Sequence, residues 1–180
     1  MKTKLLILLF ALGVFAAEAR EPQQGYRGFF DFDFHYFSQK TPWNANSDYL
    51  YLSLSTSHGY QFNPHLYIGA GLTFAGDNML PLYLNARTDW KFGKFTPFGD
   101  IKLGYNFTGG GGIFFSPSVG YRFNWGRKVG INLGVGLTVK GYNATMLEVN
   151  TTPDGYVVFE EVGTKRKNRS YLTVRIGLDF

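Results

Sequence analysis

Cysteine is absent from all 180 residues. That excludes a disulfide framework, a thiolate metal site and a lipid anchor on an N-terminal cysteine. Charge is scarce: Asp, Glu, Lys and Arg make up 17% of the chain, and much of the net charge of +5 lies in one run, Lys165-Arg166-Lys167-Asn168-Arg169. One basic run is not a nucleic-acid face, so no nucleic-acid partner is expected. The three histidines, His35, His58 and His65, lack ligand spacing, so no metal or other cofactor is expected. Long apolar runs are missing beyond the N-terminus. The run from Leu5 to Phe15 is too short to cross a bilayer as a helix. Lys2 and Lys4 precede it and Ala17-Glu18-Ala19 follows, the layout of a secretory signal removed after Ala19. Residues 20–180 then suit one domain.

What is present is aromatic and small. Phe, Tyr and Trp reach 18%, and glycines number 23. Aromatics favour strands, whereas glycine weakens strands unless its smallness is needed. Apolar alternation recurs in eight stretches: Tyr26–Phe37, Tyr49–Phe62, Leu66–Ala75, Leu80–Phe92, Pro97–Phe107, Ile113–Phe123, Val129–Tyr142 and Ser170–Phe180. Most run ten to fourteen residues, longer than a usual soluble strand and long enough to cross a bilayer at a tilt. Short turns at 63–65, 93–96 and 124–128 alternate with longer connections, of which 38–48 and 143–169 are the longest. The sequence therefore predicts an all-β fold, an eight-stranded antiparallel up-and-down transmembrane β-barrel. Its short turns and both termini share one end.

The two faces of these strands differ. One carries Phe30, Phe32, Phe34, Leu50, Leu52, Leu82, Leu84, Leu133, Val135, Leu137 and Leu172 to Leu178 at every second position, almost without charge. The other carries Arg27, Asp31, Asp33, Arg87, Asp89, Asp100, Lys102, Arg122, Arg175 and Asp179, spaced by glycines such as Gly69, Gly71, Gly104, Gly120, Gly134 and Gly177. An eight-stranded barrel holds little more than its own side chains, so the apolar set would overfill it. Glycines on a water-facing exterior would only lose entropy, but in a crowded lumen they make room. The apolar face is thus expected to point outward, into hydrocarbon. Tyr60, Phe62, Trp90, Phe92, Phe123, Trp125 and Phe180 cluster at the turn-side ends, as an aromatic belt at headgroup level would.

The stretches Ser55–Phe74 (STSHGYQFNPHLYIGAGLTF), Thr96–Tyr105 (TPFGDIKLGY), Phe114–Phe123 (FFSPSVGYRF) and the closing LTVRIGLDF resemble the small outer-membrane β-barrel proteins of Gram-negative bacteria. That group includes outer membrane protein X, the membrane domain of outer membrane protein A, and single-barrel proteins of no assigned activity. The resemblance covers residues 20–180 and carries architecture rather than activity. It implies an outer-membrane location with periplasmic termini and turns, and contact with membrane lipids and lipopolysaccharide. It also implies that the strand ending in Phe180 resembles the signal read by the barrel-assembly machinery. Larger members append a peptidoglycan-binding domain, a role not expected of a chain that stops at Phe180.

The charged inward residues admit two readings, a gated ion path or a satisfied network that plugs the lumen. The plug is preferred, because unpaired buried charge is costly. It is expected to pair Arg87 and Asp89 with Asp100 and Lys102 across a short turn, and Arg27, Asp31 and Asp33 with Arg175 and Asp179 if the first and last strands meet. Some barrels of this type are lipid A-modifying hydrolases with His, Ser and Glu on the lipid face. Thr56, His58 and Tyr60 point outward here, but neither neighbouring strand offers an outward carboxylate, so no catalytic residue is assigned. Residues 143–169 form a hairpin around Pro153-Asp154-Gly155. Tyr156 and Val158 on its strand edge would suit an extracellular protein partner. Lys165, Arg166, Lys167 and Arg169 at its base would suit lipopolysaccharide phosphates. A hairpin that merely extends the barrel, with solvated charges, stays equally open. The expected protein is a non-enzymatic monomer acting in envelope structure or surface interaction. A narrow pore or lateral conduit is the alternative, and a lipid-modifying enzyme the third reading.

Overall fold

The computed structural model describes residues 24–41, 44–76, 79–90, 95–108, 111–125, 129–151 and 157–180. The N-terminal residues assigned to a signal sequence lie outside these. Eight strands follow one another: β1 Gly25–Thr41, β2 Asn44–Asn63, β3 Leu66–Ala75, β4 Pro81–Asp89, β5 Phe95–Asn106, β6 Gly112–Trp125, β7 Val129–Thr151 and β8 Val157–Asp179. Each pairs antiparallel with its neighbours in chain order, and β8 returns to β1, so the sheet closes as a barrel. The all-β eight-stranded architecture is the one the alternation predicts.

The register fixes the shape. Stepping between paired residues from Gly25 leads through Gln61, Tyr67, Arg87, Asp100, Ser118, Gly136 and Thr173 back to β1 at His35, ten residues above the start. With a rise of ~3.3 Å per residue and ~4.8 Å between strands, that stagger tilts the strands by about 40°. Ten residues of such a strand then climb ~25 Å along the axis.

Alternation sorts the side chains strictly. Leu50, Leu84 and Val135 are exposed outward, Leu84 at 68%, while Asp33, Asn85, Arg87, Lys102 and Asp179 are buried within, Lys102 at 1%. The inward glycines mark close approaches. A Cβ on Gly177 would strike the Asp31 carboxylate, and one on Gly130 would strike the Asp179 carboxylate and the Arg122 guanidinium. A Cβ on Gly69 would meet the Tyr67 hydroxyl. These residues are small because charged and phenolic groups fill the space they leave.

One glycine serves the closing seam from outside. Gly28 and Phe180 exchange backbone hydrogen bonds of 2.8 and 3.1 Å. A Cβ on Gly28 would lie 2.6 Å from the Phe180 ring, so the ring rests in the notch that the missing side chain leaves. Gly28→Val is expected to expel the ring and cost about 1–3 kcal/mol, as overpacking does. Lower resistance of the folded barrel to SDS in unboiled gels would register it, and unchanged resistance would show that the notch adds nothing.

The sequence-read loops at 38–48 and 143–169 are largely paired. β1 and β2 stay paired up to Thr41↔Asn44, with a register shift between Gln39 and Thr41, and β7 and β8 up to Thr151↔Val157, with one between Met146 and Leu147. The hairpin expected over 143–169 is thus paired on both sides of Pro153-Asp154-Gly155, which lies outside the described residues.

Candidate functional site

The lumen is built from inward positions of all eight strands. Among the described residues it buries six cations (Arg27, Arg87, Lys102, Arg122, Lys140, Arg175) and five carboxylates (Asp31, Asp33, Asp89, Asp100, Asp179). All but Lys140 form two layers. In the layer nearer the short turns, Arg27 bridges Asp89 at 2.6 Å and Asp179 at 2.8 Å and donates to Gln61 at 2.9 Å. Arg87 donates to Asp89 at 2.9 Å and to Asn132 at 2.8 Å, and Arg122 holds Asp179 from the far side at 2.8 Å. The guanidinium of Arg87 also lies 3.7 Å from the Phe98 ring centre, a cation–π contact in a dry setting.

The central layer turns on Arg175. It donates to Asp33 at 2.6 Å, Asp100 at 2.9 Å and Ser118 at 3.1 Å, with Asp31 3.8 Å away. Lys102 pairs with Asp31 at 2.8 Å, and Asn85 donates to Asp100 at 2.7 Å. Above this the chemistry becomes neutral: His35 bonds Thr173 at 2.9 Å and Ser53 at 2.8 Å, and Thr138 links Thr173 to Ser116. A permeating ion would have to part these bonds, each made in a low-dielectric interior.

All ten charged residues singled out from the sequence lie in these two layers. Their partners differ in one respect from the expectation. Arg87 and Asp100 are opposed in register across the β4–β5 turn, yet each bonds elsewhere. Asp100 is taken by Arg175 of β8, Lys102 by Asp31 of β1, and Asp89 by Arg27 of β1 as well as by Arg87. The tilt and stagger lift register partners to different heights and bring distant strands together across the narrow lumen. The seam partners meet: Arg175 reaches Asp33 and Arg27 reaches Asp179. The sequence reading missed the neutral members, Gln61, Asn85, Ser118 and Asn132, and it missed Lys140. Each sits at an inward position, so the parity that located the charges also marks them.

Of the aromatic-belt positions, Tyr60, Phe62 and Trp90 are exposed outward, and Phe123 and Phe180 are half-buried. Phe92 and Tyr156 lie outside the described residues, as do the side chains of Trp125 and Val158. Lys165, Arg166 and Lys167 are exposed on the β7–β8 hairpin. Arg169, half-buried at its base, lies 4.7 Å from the Phe37 ring centre and 4.5 Å from that of Tyr142. Lys140, opposite Arg169 in register, lies 4.7 Å from the Tyr51 ring centre.

On the outer face His58 engages both ring nitrogens, Nδ1 with the Tyr26 hydroxyl at 2.5 Å and Nε2 with Thr56 Oγ1 at 2.9 Å. Thr56 spends its own proton on the Phe29 carbonyl at 3.3 Å. Thr56 therefore accepts from Nε2–H, and Nδ1 accepts from Tyr26. In this direction the imidazole is no base for the threonine hydroxyl. Tyr26, a diagonal neighbour on β1, was not visible as the partner of His58 in the sequence. No protein-family model matches the chain, and no curated protein matches it.

Proposed function

We propose that this barrel spans the outer membrane of a Gram-negative bacterium as a plugged, non-enzymatic scaffold that presents the β7–β8 hairpin at the cell surface. The observation that carries the reading is the inversion of the usual soluble pattern. Leu, Val, Ile and Phe are exposed around the outside while eleven acidic and basic side chains are buried inside. Water would not favour that arrangement, but hydrocarbon does. The ~25 Å rise of a ten-residue tilted strand suits the apolar band of such barrels.

The plugged lumen rests on the ion pairs of the two layers. Purified protein in planar bilayers is expected to pass no steady ion current. A steady current that disappears in Asp100→Ala or Arg87→Ala would replace the scaffold with a pore.

The surface role rests on the hairpin. Above the last pair with β6, Phe114↔Lys140, β7 continues eleven residues to Thr151, ~36 Å along the strand, paired with β8 alone among the described residues. No part of that length is needed to close the barrel. Molecules that copurify with the intact protein and are lost from a variant lacking Met146–Thr164 would be its partners. Identical copurifying sets would sink the surface-interaction reading.

A further inference from the structure

Resting on that surface reading, we infer that the β8 edge of the hairpin pairs with the same edge of a second copy of this chain carried on a facing membrane. Three features of the ladder point there.

The first is a free edge. β1 and β8 stay paired up to Tyr36↔Leu172, and β1 ends at Thr41, level with residue 167 if that register is extended. Among the described residues, β8 from 157 to 167 is paired with β7 on one side and with no strand on the other. Such an edge offers a row of backbone donors and acceptors to another strand.

The second is charge. The sequence runs EEVGTKRK from Glu160 to Lys167, acid first and base last. In register Glu160 stands opposite Glu148, Glu161 opposite Leu147, Lys165 opposite Ala144 and Arg166 opposite Asn143, so no position of opposite charge lies directly across from these four. Arg166 donates to a neutral group, the Tyr105 hydroxyl, at 3.2 Å. Like charges opposed on a ladder destabilise it. An antiparallel copy removes the conflict. A two-fold axis at Thr164 sets Gly163 opposite Lys165; past the bulge in each copy Glu161 then stands opposite Arg166 and Glu160 opposite Lys167, and symmetry makes each pair twice.

The third is the bulge. The β7–β8 ladder slips one residue between Met146↔Gly163 and Leu147↔Glu161. Directly opposed residues of an antiparallel pair share a face. Without the slip Glu161 and Arg166 would fall on opposite faces of β8. With it both align with odd-numbered β7 residues, and Glu160 and Lys167 with even-numbered ones, so both new pairs share a face.

Copies in one membrane stand parallel, with acidic band level with acidic band, and repel. Copies on opposed membranes stand antiparallel. One such contact is small, but many across a junction act together.

The test uses the mature protein in phosphatidylcholine vesicles, with clustering followed by light scattering. Wild-type vesicles are expected to cluster, and to disperse as salt rises from ~0.1 to ~1 M and the screening length falls to ~3 Å. Glu160→Lys with Glu161→Lys, and separately Arg166→Glu with Lys167→Glu, are each expected to abolish clustering. Mixing the two variant populations is expected to restore it, which also shows that both fold. Dispersed wild-type vesicles, clustering indifferent to either swap, or a mixture that stays dispersed would overturn the pairing. Clustering only with added anionic vesicles would overturn it too, assigning the basic run to lipid phosphate. Those outcomes leave the surface reading intact if the hairpin-deleted variant still loses its copurifying partners.

Discussion

Arg175→Met is expected to cost the barrel about 3–5 kcal/mol, the usual loss when one member of a buried ion pair is removed. Arg175 alone reaches Asp33, Asp100 and Ser118 and sits beside Asp31. Its loss leaves three carboxylates in the central layer with Lys102 as the cation bonded to one of them. Equilibrium unfolding in urea from zwitterionic vesicles measures the loss as a lowered midpoint at unchanged slope. Adding Asp33→Asn removes the carboxylate that Arg175 held most closely. The double variant is expected to recover part of the loss, because contacting residues couple by about 0.5–3 kcal/mol. A single variant with an unchanged midpoint would mean that water reaches these carboxylates, and the plug would not exist.

Val135→Arg, on the outer face, carries the second large effect. Val135 lies midway along the part of β7 paired with β6, Val129 to Lys140, points outward and is 54% exposed. An arginine there is expected to cost about 2–4 kcal/mol in a bilayer, while Val129→Arg at the turn-side end costs about 0–1 kcal/mol. Were the surface wetted by water, both would fall within about 0.5 kcal/mol of zero, as exposed substitutions do. The difference between the two positions, read from the same urea titrations, separates lipid from water around the barrel. Equal small effects would overturn the membrane location.

Much of this protein was legible without coordinates, for a simple reason. A strand repeats every two residues, so a substitution of polar for apolar at alternate positions names its face directly. Phe30, Phe32 and Phe34 fall on one face and Asp31 and Asp33 on the other, and the structure turns the carboxylates inward. Chain order supplied the neighbours, since short turns can join only antiparallel strands. The extent of the last hairpin was less legible. Residues such as Thr145, Asn150 and Thr164 blur the alternation, and no apolar face is needed on a ladder standing clear of the barrel.

The His58 cluster shows the limit at the scale of one site. Thr56 and His58 are two residues apart on one strand and were visible as neighbours. Tyr26 lies thirty-two positions away and meets His58 diagonally, at a distance set by the pairing of β1 with β2. The structure bonds both ring nitrogens of His58, one of them to a residue the sequence did not bring near it.

By itself the sequence determined strand number, face and all the enclosed charges but Lys140, because those follow from local periodicity and turn length. Only the tertiary structure decided which charge answers which. A ten-residue stagger around eight strands carries register partners to different heights, so Asp100 bonds across the lumen to Arg175 rather than to the Arg87 beside it. Stagger is a property of the closed ring, accumulated over every ladder, and no single stretch of chain encodes it.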